Sequence, residues 1–205
     1  MRKSIATLLV CACAWAVTLA QAPVSSAKAA FTQRLVAAAV ARAQVRVRYV
    51  SSYVKLSYPN GDVPSDTGVC TDEIIRTYRA VGVDLQKEVH EDMVQHLSAY
   101  PLHGARADSS IDHRRVPNLQ KFFDRHGSAL PITRDSSDYK PGDLVTWSLN
   151  GKYTHIGIVV NRTSQAGRYE ILHNIGEEPK IEDVLFEWQI TGHYRYYGPE
   201  RVASR

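Results

Sequence analysis

The chain has 205 residues, 44% of them hydrophobic and 22% charged, a balance that predicts one globular domain with its own core. Its formal net charge of +4 comes largely from residues 1–29, which hold three basic and no acidic residues. The rest of the chain has 22 Lys and Arg against 21 Asp and Glu. The composition therefore gives no support for a nucleic-acid partner, which requires a clustered basic surface.

Residues 1–29 have the composition of a secretory signal peptide. Arg2 and Lys3 precede an apolar run over residues 5–20, and Ala27-Lys28-Ala29 supplies the small residues of a cleavage site. We therefore expect a single mature domain over residues 30–205, periplasmic or secreted from a bacterium and without stable membrane insertion. The alternative is a retained membrane anchor, although the apolar run is shorter than a spanning helix requires.

Cys70 is the one cysteine outside residues 1–29. In an oxidising compartment a lone cysteine is buried and inert, paired between chains, a metal ligand, or chemically active. The local sequence favours chemical activity, because Asp66 or Thr67 can cap a helix that begins at Cys70 and ends before Gly82. The positive end of such a helix is expected to lower the pKa of the thiol.

Further helices are predicted over residues 31–47, 85–97 and 116–125, and residues 49–69 are predicted to form an ordered loop rich in tyrosine. A polar stretch over residues 107–115 contains Asp112, His113, Arg114 and Arg115. It is either a solvated approach to a helix or an edge that binds a carboxylate, since the Arg fork matches that group in two-point geometry.

The chain becomes strand-like after residue 138, with strands predicted over residues 144–149, 153–161 and 169–174 and a final sheet segment over 184–197. Asn150-Gly151 predicts a tight hairpin between the first two. If the next hairpin is symmetric about Ser164, then His155 and His173 lie directly opposite each other on one face.

A thiol enzyme needs a nucleophile, a base and a group that orients the base, and Cys70, His155 and His173 supply these three. Together they predict a cysteine hydrolase of the α+β class. Two alternatives remain: the same residues could form a zinc site with His193 in reserve, or the pocket could belong to a non-catalytic module that binds the cell wall.

The sequence also resembles known families at these residues. Cys70 on a helix start, Pro-Gly-Asp-Leu-Val at 141–145, His-Ile-Gly-Ile-Val-Val at 155–160 and Ile-Leu-His at 171–173 resemble the NlpC-type cysteine peptidases. The motifs at 68–72, 89–93, 111–120, 173–176 and 190–195 more closely resemble the YijF-like family, a secreted bacterial family of unassigned function in that superfamily.

This resemblance implies a papain-like NlpC-type fold, in which N-terminal helices carrying the nucleophile pack on a C-terminal antiparallel sheet. It implies Cys70 as nucleophile, His155 as base and His173 as orienting residue, with no cofactor and with peptidoglycan stem peptides as substrate. Further candidates for substrate binding or oxyanion stabilisation are Tyr58, Asp72, Asp112, His113, Arg114, Arg115 and Asn174. NlpC-type enzymes usually have Asp-Cys-Ser around the nucleophile, whereas this chain has Val69-Cys70-Thr71, a departure that bears mainly on the substrate.

Overall fold

The computed structural model describes residues 23–101 and 106–199. Within these ranges the helices are α1 (Pro23–Arg42), α2 (Cys70–Ala80), α3 (Leu85–Gln95) and α4 (Val116–His126). The strands are β1 (Arg48–Tyr49), β2 (Thr67–Gly68), β3 (Ser128–Ala129), β4 (Leu144–Leu149), β5 (Tyr153–Thr163), β6 (Tyr169–Asn174), β7 (Pro179–Glu182) and β8 (Gln189–Arg195).

Six of these strands form one antiparallel sheet in the order β3-β8-β4-β5-β6-β7. Strands β1 and β2 pair separately and in parallel. Helix α2 packs against α1 and against β5. The prediction of an α+β fold, with the cysteine-bearing helix packed on a C-terminal antiparallel sheet, is confirmed.

Helix α2 is held by its apolar face. Ile74 and Tyr78, one turn apart, are both fully buried, and burial of such side chains contributes roughly 2 kcal/mol each to stability. The helix ends before Gly82, whose φ of 87° only glycine adopts readily. Both predicted ends of this helix are therefore confirmed.

The centre of the sheet is buried on both faces. Ile156 and Ile158 face the helices and join the larger hydrophobic core, which also contains Cys70. Trp147 and Val159 face a smaller core on the other side, where the Trp147 indole donates to the backbone carbonyl of Leu185 at 3.0 Å. Alternation along β5 therefore assigns His155 to the face of the smaller core.

The β4–β5 hairpin is formed as predicted. Asn150 and Gly151 have φ values of 52° and 71°, the left-handed pair that a type I′ turn requires. Helix α1 differs from the prediction at both ends: it begins at Pro23 rather than at residue 31, and it ends at Arg42 because the chain then turns so that Arg48 N–H donates to the carbonyl of Asp66 at 2.8 Å. The short strand β7 was not predicted, since it begins with a proline and has no clear apolar alternation.

Residues 1–22, which make up most of the predicted signal peptide, lie outside the described residues. Residues 23–29 form the first part of α1, so cleavage after Ala29 stays a prediction. No helix in residues 23–101 or 106–199 combines the length and the apolar character needed to cross a bilayer.

Candidate functional site

Cys70 is the first residue of α2, and Asp72 holds the backbone before it. The Val69 N–H donates to Asp72 Oδ2 at 2.8 Å, which satisfies one of the amides at the helix start. The predicted caps have other partners, because Asp66 pairs with Arg48 and the hydroxyl of Thr67 donates to a backbone carbonyl. The prediction that Asp66 or Thr67 caps this helix is therefore wrong.

Asp72 also binds Arg114, whose Nε and Nη2 donate to its two carboxylate oxygens at 2.8 and 2.9 Å. Both side chains are almost fully buried. Asp72 was predicted to contact substrate, but in this arrangement its carboxylate is occupied by Arg114 and by the backbone before Cys70. It positions the helix start instead.

Cys70 lies at the floor of a groove of about 390 Å³. The groove is walled by residues from β1 and the loop after it, from α2, from the start of α4 and from β5, among them Tyr49, Ser51, Arg115, Asn118 and Thr154. The cysteine is free and only 5% exposed. A substrate would therefore meet the sulfur at the base of this groove rather than on an open surface.

Burial raises the pKa of the Cys70 thiol to about 11, and the carboxylate of Asp72 contributes in the same direction. Backbone N–H groups of Ile156, Thr71 and Cys70 itself act in the opposite direction because they favour the thiolate. The expectation that the helix start lowers this pKa is wrong, since desolvation outweighs the amides. The resting group is a neutral thiol.

Tyr49 is held beside the thiol by the parallel pairing of β1 and β2, in which Tyr49 lies opposite Gly68. Its hydroxyl interacts with the Cys70 side chain. Burial, followed by the nearby Cys70 and Asp72, raises the pKa of Tyr49 to about 12, so the phenol keeps its proton. Tyr49 is therefore a hydrogen-bond donor at the nucleophile.

His155 and His173 are hydrogen-bonded to each other, with His155 Nε2 3.0 Å from His173 Nδ1. The predicted register between them is wrong. Pairing of Ile158 with Leu172 and of Val159 with Ile171 displaces β6 by two residues from symmetry about Ser164. An even displacement keeps both histidines on one face, where they meet diagonally.

Gly157 makes this diagonal approach possible. A Cβ on Gly157 would lie 2.5 Å from Ile171 Cγ2, 2.9 Å from the Leu172 carbonyl oxygen and 3.3 Å from His173 Cβ. A larger residue would force β5 and β6 apart at the point where the histidine rings meet. The glycine in the His-Ile-Gly sequence is thus required by the close packing of the two strands.

Two tryptophans enclose the histidine pair. Trp147 is the cross-strand partner of His155, and its ring centroid lies 5.8 Å from that imidazole. Trp188 lies edge-on to both imidazoles, 5.7 Å from His155 and 6.1 Å from His173. Burial, with a smaller contribution from His173, lowers the pKa of His155 to about 3, so both rings are neutral at rest.

Glu182 reaches the same pair from β7. Its Oε2 lies 3.5 Å from His173 Nε2, a contact longer than an ordinary hydrogen bond, so the carboxylate acts on the ring mainly through its charge. Burial lowers the pKa of His173, and Glu182 opposes that shift. A negative charge at Nε2 favours the tautomer of His173 that carries its proton there.

The Cys70 sulfur and the histidine pair contact adjacent residues of β5 from opposite faces of the sheet. The backbone N–H beside the Cys70 sulfur belongs to Ile156, the residue after His155. Among the described residues no hydrogen bond joins the sulfur to either imidazole. His155 and His173 of the predicted triad are therefore in contact with each other, whereas Cys70 contacts the backbone of the next residue, Ile156.

Tyr58 is not part of the groove. Its hydroxyl donates to Glu91 Oε1 at 3.2 Å, its ring packs edge-on against His90, and 41% of the residue is exposed. Tyr49 occupies the place beside Cys70 that was predicted for Tyr58. The two tyrosines are 9 residues apart in the chain, and only the pairing of β1 with β2 distinguishes them.

The four ionisable residues at 112–115 lie in different surroundings. Asp112 is buried, accepts from the Asp108 N–H and contacts His90 Nδ1, both at 2.8 Å. His113 is buried too, and burial lowers its pKa to about 3. Arg114 and Arg115 alone line the groove, and only Arg115 is exposed.

Asn174, the remaining candidate, is fully buried on β6 opposite Pro179 of β7. Its side-chain Nδ2 and Oδ1 have no hydrogen-bond partner among the described residues. Asn174 does not line the groove at Cys70, so the structure does not bring it into contact with a substrate there.

The alternative zinc site is not formed in the part of the chain that the structure describes, where no three His, Cys, Asp or Glu side chains are arranged to hold a metal ion. The predicted reserve ligand is occupied elsewhere. His193 Nε2 lies 2.9 Å from Asp143 Oδ2, and its Nδ1 lies 3.0 Å from the Pro131 carbonyl oxygen.

Three residues at this site were not predicted from the sequence: Tyr49, Glu182 and Trp188. A signal existed only for Trp188, since an aromatic side chain in a predicted sheet segment often packs on the core. Tyr49 and Glu182 reach the site through β1 and β7, two strands of two and four residues that the pattern did not reveal.

The sequence matches a known protein family. Residues 36–196 match the family model described as a domain of unknown function, DUF1287. The chain is 48% identical over 151 residues to uncharacterized protein YijF of Escherichia coli (strain K12), an alignment that covers 73% of this chain and 74% of that protein. Among solved structures it is similar to NlpC1 of Trichomonas vaginalis, with a TM-score of 0.44 and 16% identity, over 80% of this chain and 44% of that one.

Proposed function

The chain belongs to the family described as DUF1287, and we propose that it is a secreted cysteine hydrolase that cleaves an amide bond, with Cys70 as nucleophile and His155 as base. One observation carries the proposal: the Cys70 sulfur lies against the backbone N–H of Ile156, directly after a histidine that is oriented by a second one. The thiol at the floor of the groove and the hydrogen-bonded histidine pair thus meet consecutive residues of β5, Ile156 and His155, from opposite faces of the sheet.

The orientation of the imidazoles defines which nitrogen acts as base. The negative charge of Glu182 favours a proton on His173 Nε2, which leaves Nδ1 of that ring as an acceptor. His155 then donates its Nε2–H to this acceptor. The lone pair of His155 is therefore on Nδ1. Because Cys70 packs on the opposite face of β5, transfer of its proton to this nitrogen requires the imidazole to turn toward the groove.

The first half of the reaction forms a thioester. Because the thiol is neutral at rest, its proton moves to His155 Nδ1 as the sulfur attacks the amide carbonyl carbon. The oxyanion is stabilised by the first amides of α2, which have no acceptor within the helix, and by the Tyr49 hydroxyl. The imidazolium then protonates the leaving nitrogen, and the carbon–nitrogen bond breaks.

Water completes the cycle. His155 removes a proton from a water molecule that attacks the thioester carbonyl, and the carbon–sulfur bond then breaks. The proton returns to the sulfur, so the thiol and the neutral imidazole are regenerated with a free carboxylic acid as product. No cofactor is needed for this sequence of steps.

The substrate to test first is the peptide part of peptidoglycan. The support is the resemblance of the sequence around Cys70, His155 and His173 to NlpC-type peptidases, together with a signal-like segment at residues 1–29 that would deliver the protein to the cell envelope.

A second candidate function is a module that binds cell-wall peptide without cleaving it. It is favoured by the burial of Cys70 and His155 on opposite faces of β5. Burial raises the pKa of Cys70 to about 11 and lowers that of His155 to about 3, so neither group is ionised at rest. In that case the groove would hold a ligand that Cys70 does not attack.

Digestion of purified peptidoglycan sacculi separates the two. The protein spanning residues 30–205 and its Cys70→Ala variant are incubated with sacculi, and released fragments are identified by mass spectrometry. We expect soluble fragments with one new amine terminus from the wild type alone. Sedimentation of both proteins with intact sacculi, and no fragments from either, would contradict the hydrolase and support the binding module.

A further inference from the structure

Two helix starts meet in the groove that contains Cys70. Its lining includes Val69, Cys70 and Thr71 from the start of α2 and residues 115–118 from the start of α4. Both helices have 11 residues, and the start of α4 has no side-chain cap. The start of a helix carries partial positive charge, so both helices favour an anion in this space. At the start of α4, Pro117 has no N–H and the Asn118 N–H donates to the Arg115 carbonyl at 3.0 Å, so Val116 is left to offer an amide.

Arg114 adds a second, independent feature. Its Nε and Nη2 are bound to Asp72, but its Nη1 is buried and has no hydrogen-bond partner in residues 23–101 and 106–199. The side chain is only 2% exposed, and the residue lines the groove. A buried guanidinium nitrogen without an acceptor is unfavourable, because it has lost its water and gained no partner.

Arg115 supplies the exposed charge. It caps α4 through its backbone, lines the groove, and forms no ion pair with any residue that the structure describes. The described lining contains two arginines and no aspartate or glutamate. Hydroxyl and amide groups of Ser51, Thr154 and Asn118 complete the wall, and these groups suit the backbone of a peptide.

From these features we infer that the groove binds a carboxylate carried by the acyl part of the substrate, held by Arg115 and the start of α4 while the scissile carbonyl lies at Cys70. The inference rests on the proposed function only in naming the ligand a substrate. The volume of about 390 Å³ accommodates a short peptide segment rather than a folded chain. The planar Arg fork matches a carboxylate in two-point geometry.

The site can be tested without turnover, so that its failure is distinct from failure of the hydrolase. Isotope-labelled Cys70→Ala protein is titrated with N-acetylalanine, with its neutral counterpart N-acetylalaninamide, and with inorganic phosphate, and backbone amide shifts are followed by NMR. We expect saturable shifts at Thr71, Val116 and Asn118 with the carboxylate, and a dissociation constant at least about tenfold weaker for the neutral amide.

Matched arginine variants complete the experiment. Arg115→Gln in the same background should weaken binding of N-acetylalanine by about tenfold or more, and Arg115→Lys by less. Arg162→Gln, an exposed arginine of β5 paired with Glu170, should leave binding unchanged. Equal binding of the neutral amide, tighter binding of phosphate, or an equal effect of Arg162→Gln would overturn the inference, and the spectra themselves report whether each variant is folded.

Discussion

Glu182 Oε2 lies 3.5 Å from His173 Nε2, the ring nitrogen that the bond to His155 does not use. The Glu182 side chain, which is 44% exposed, thus contacts an imidazole that is only 1% exposed. Because the other nitrogen of His173 contacts His155, the charge of Glu182 selects the tautomers of both rings. It links the solvent-exposed edge of the sheet to the base of the proposed reaction.

The role of Glu182 can be separated from simple packing by Glu182→Gln. This variant keeps the shape and removes the charge, so both tautomers of His173 become accessible and kcat should fall by about tenfold. KM should change little, since Glu182 does not line the groove. Glu187→Gln, a neighbouring exposed carboxylate, serves as control, and equal activity of the two variants would contradict the assignment.

Tyr49 and Tyr58 give opposite predictions. Tyr49→Phe removes the hydroxyl beside Cys70 and should lower kcat on the order of a hundredfold, the usual effect of losing one oxyanion donor. Tyr58→Phe removes only an exposed contact with Glu91 and should leave kcat unchanged. The reverse order of effects in steady-state assays would show that the tyrosine predicted from sequence, and not Tyr49, serves the site.

Gly157→Ala should separate the two strands that carry the histidines. The added methyl would lie 2.5 Å from Ile171 Cγ2, and such overpacking typically destabilises a protein by about 1–3 kcal/mol. Urea denaturation measures the loss, and the side-chain NMR signals of His155 and His173 should shift. The control is Gly82→Ala, whose added methyl has no atom within 4 Å, so that only the φ of 87° is unfavourable. Unchanged histidine signals in Gly157→Ala would contradict this packing.

Acid should destabilise the fold through its buried histidines. Burial, followed by Arg114 and Arg79, lowers the pKa of His113 from 6.5 to about 3, so between these values the unfolded chain binds the proton and the folded one does not. The free energy of unfolding is therefore greatest above pH 6.5 and falls as pH decreases toward 3, by at most about 1.4 kcal/mol per pH unit for each such group.

The variant His113→Asn tests this dependence. Urea denaturation between pH 7.5 and 4.5 should give a shallower pH dependence than in the wild type, because one of the groups that bind protons on unfolding is gone. The histidine pair remains in both proteins and acts as an internal reference. Parallel slopes would show that His113 is already protonated, or exposed, in the folded protein.

Local patterns predicted the elements that carry the proposed chemistry. The apolar spacing of Ile74 and Tyr78 and the glycine at 82 defined α2, and Asn150-Gly151 with the alternation along β5 defined the first hairpin. These features depend on residues close in sequence. The single face shared by His155 and His173 also followed from alternation alone.

Contacts between distant segments were not predictable in the same way. The position of Tyr49 depends on pairing with Gly68, 19 residues later, and the two strands involved are too short to show a period. The register at His173 depends on a register shift in the pairing of β5 with β6, which occurs between Val159 and Thr163 of β5. The pKa of Cys70 depends on how deeply tertiary packing buries the sulfur, which outweighs the local effect of the helix start.

The central claim is that Cys70 forms a covalent thioester with the help of His155. Its most direct test is acylation by p-nitrophenyl acetate, which requires no knowledge of the natural substrate, followed by acid quenching and peptide mapping by mass spectrometry. We predict a burst of nitrophenolate and one acetyl group on the Cys70 peptide in the wild type. We predict no burst in Cys70→Ala and at least about a hundredfold slower burst in His155→Gln. Acetylation of other side chains alone, or a burst that persists in Cys70→Ala, would contradict the account.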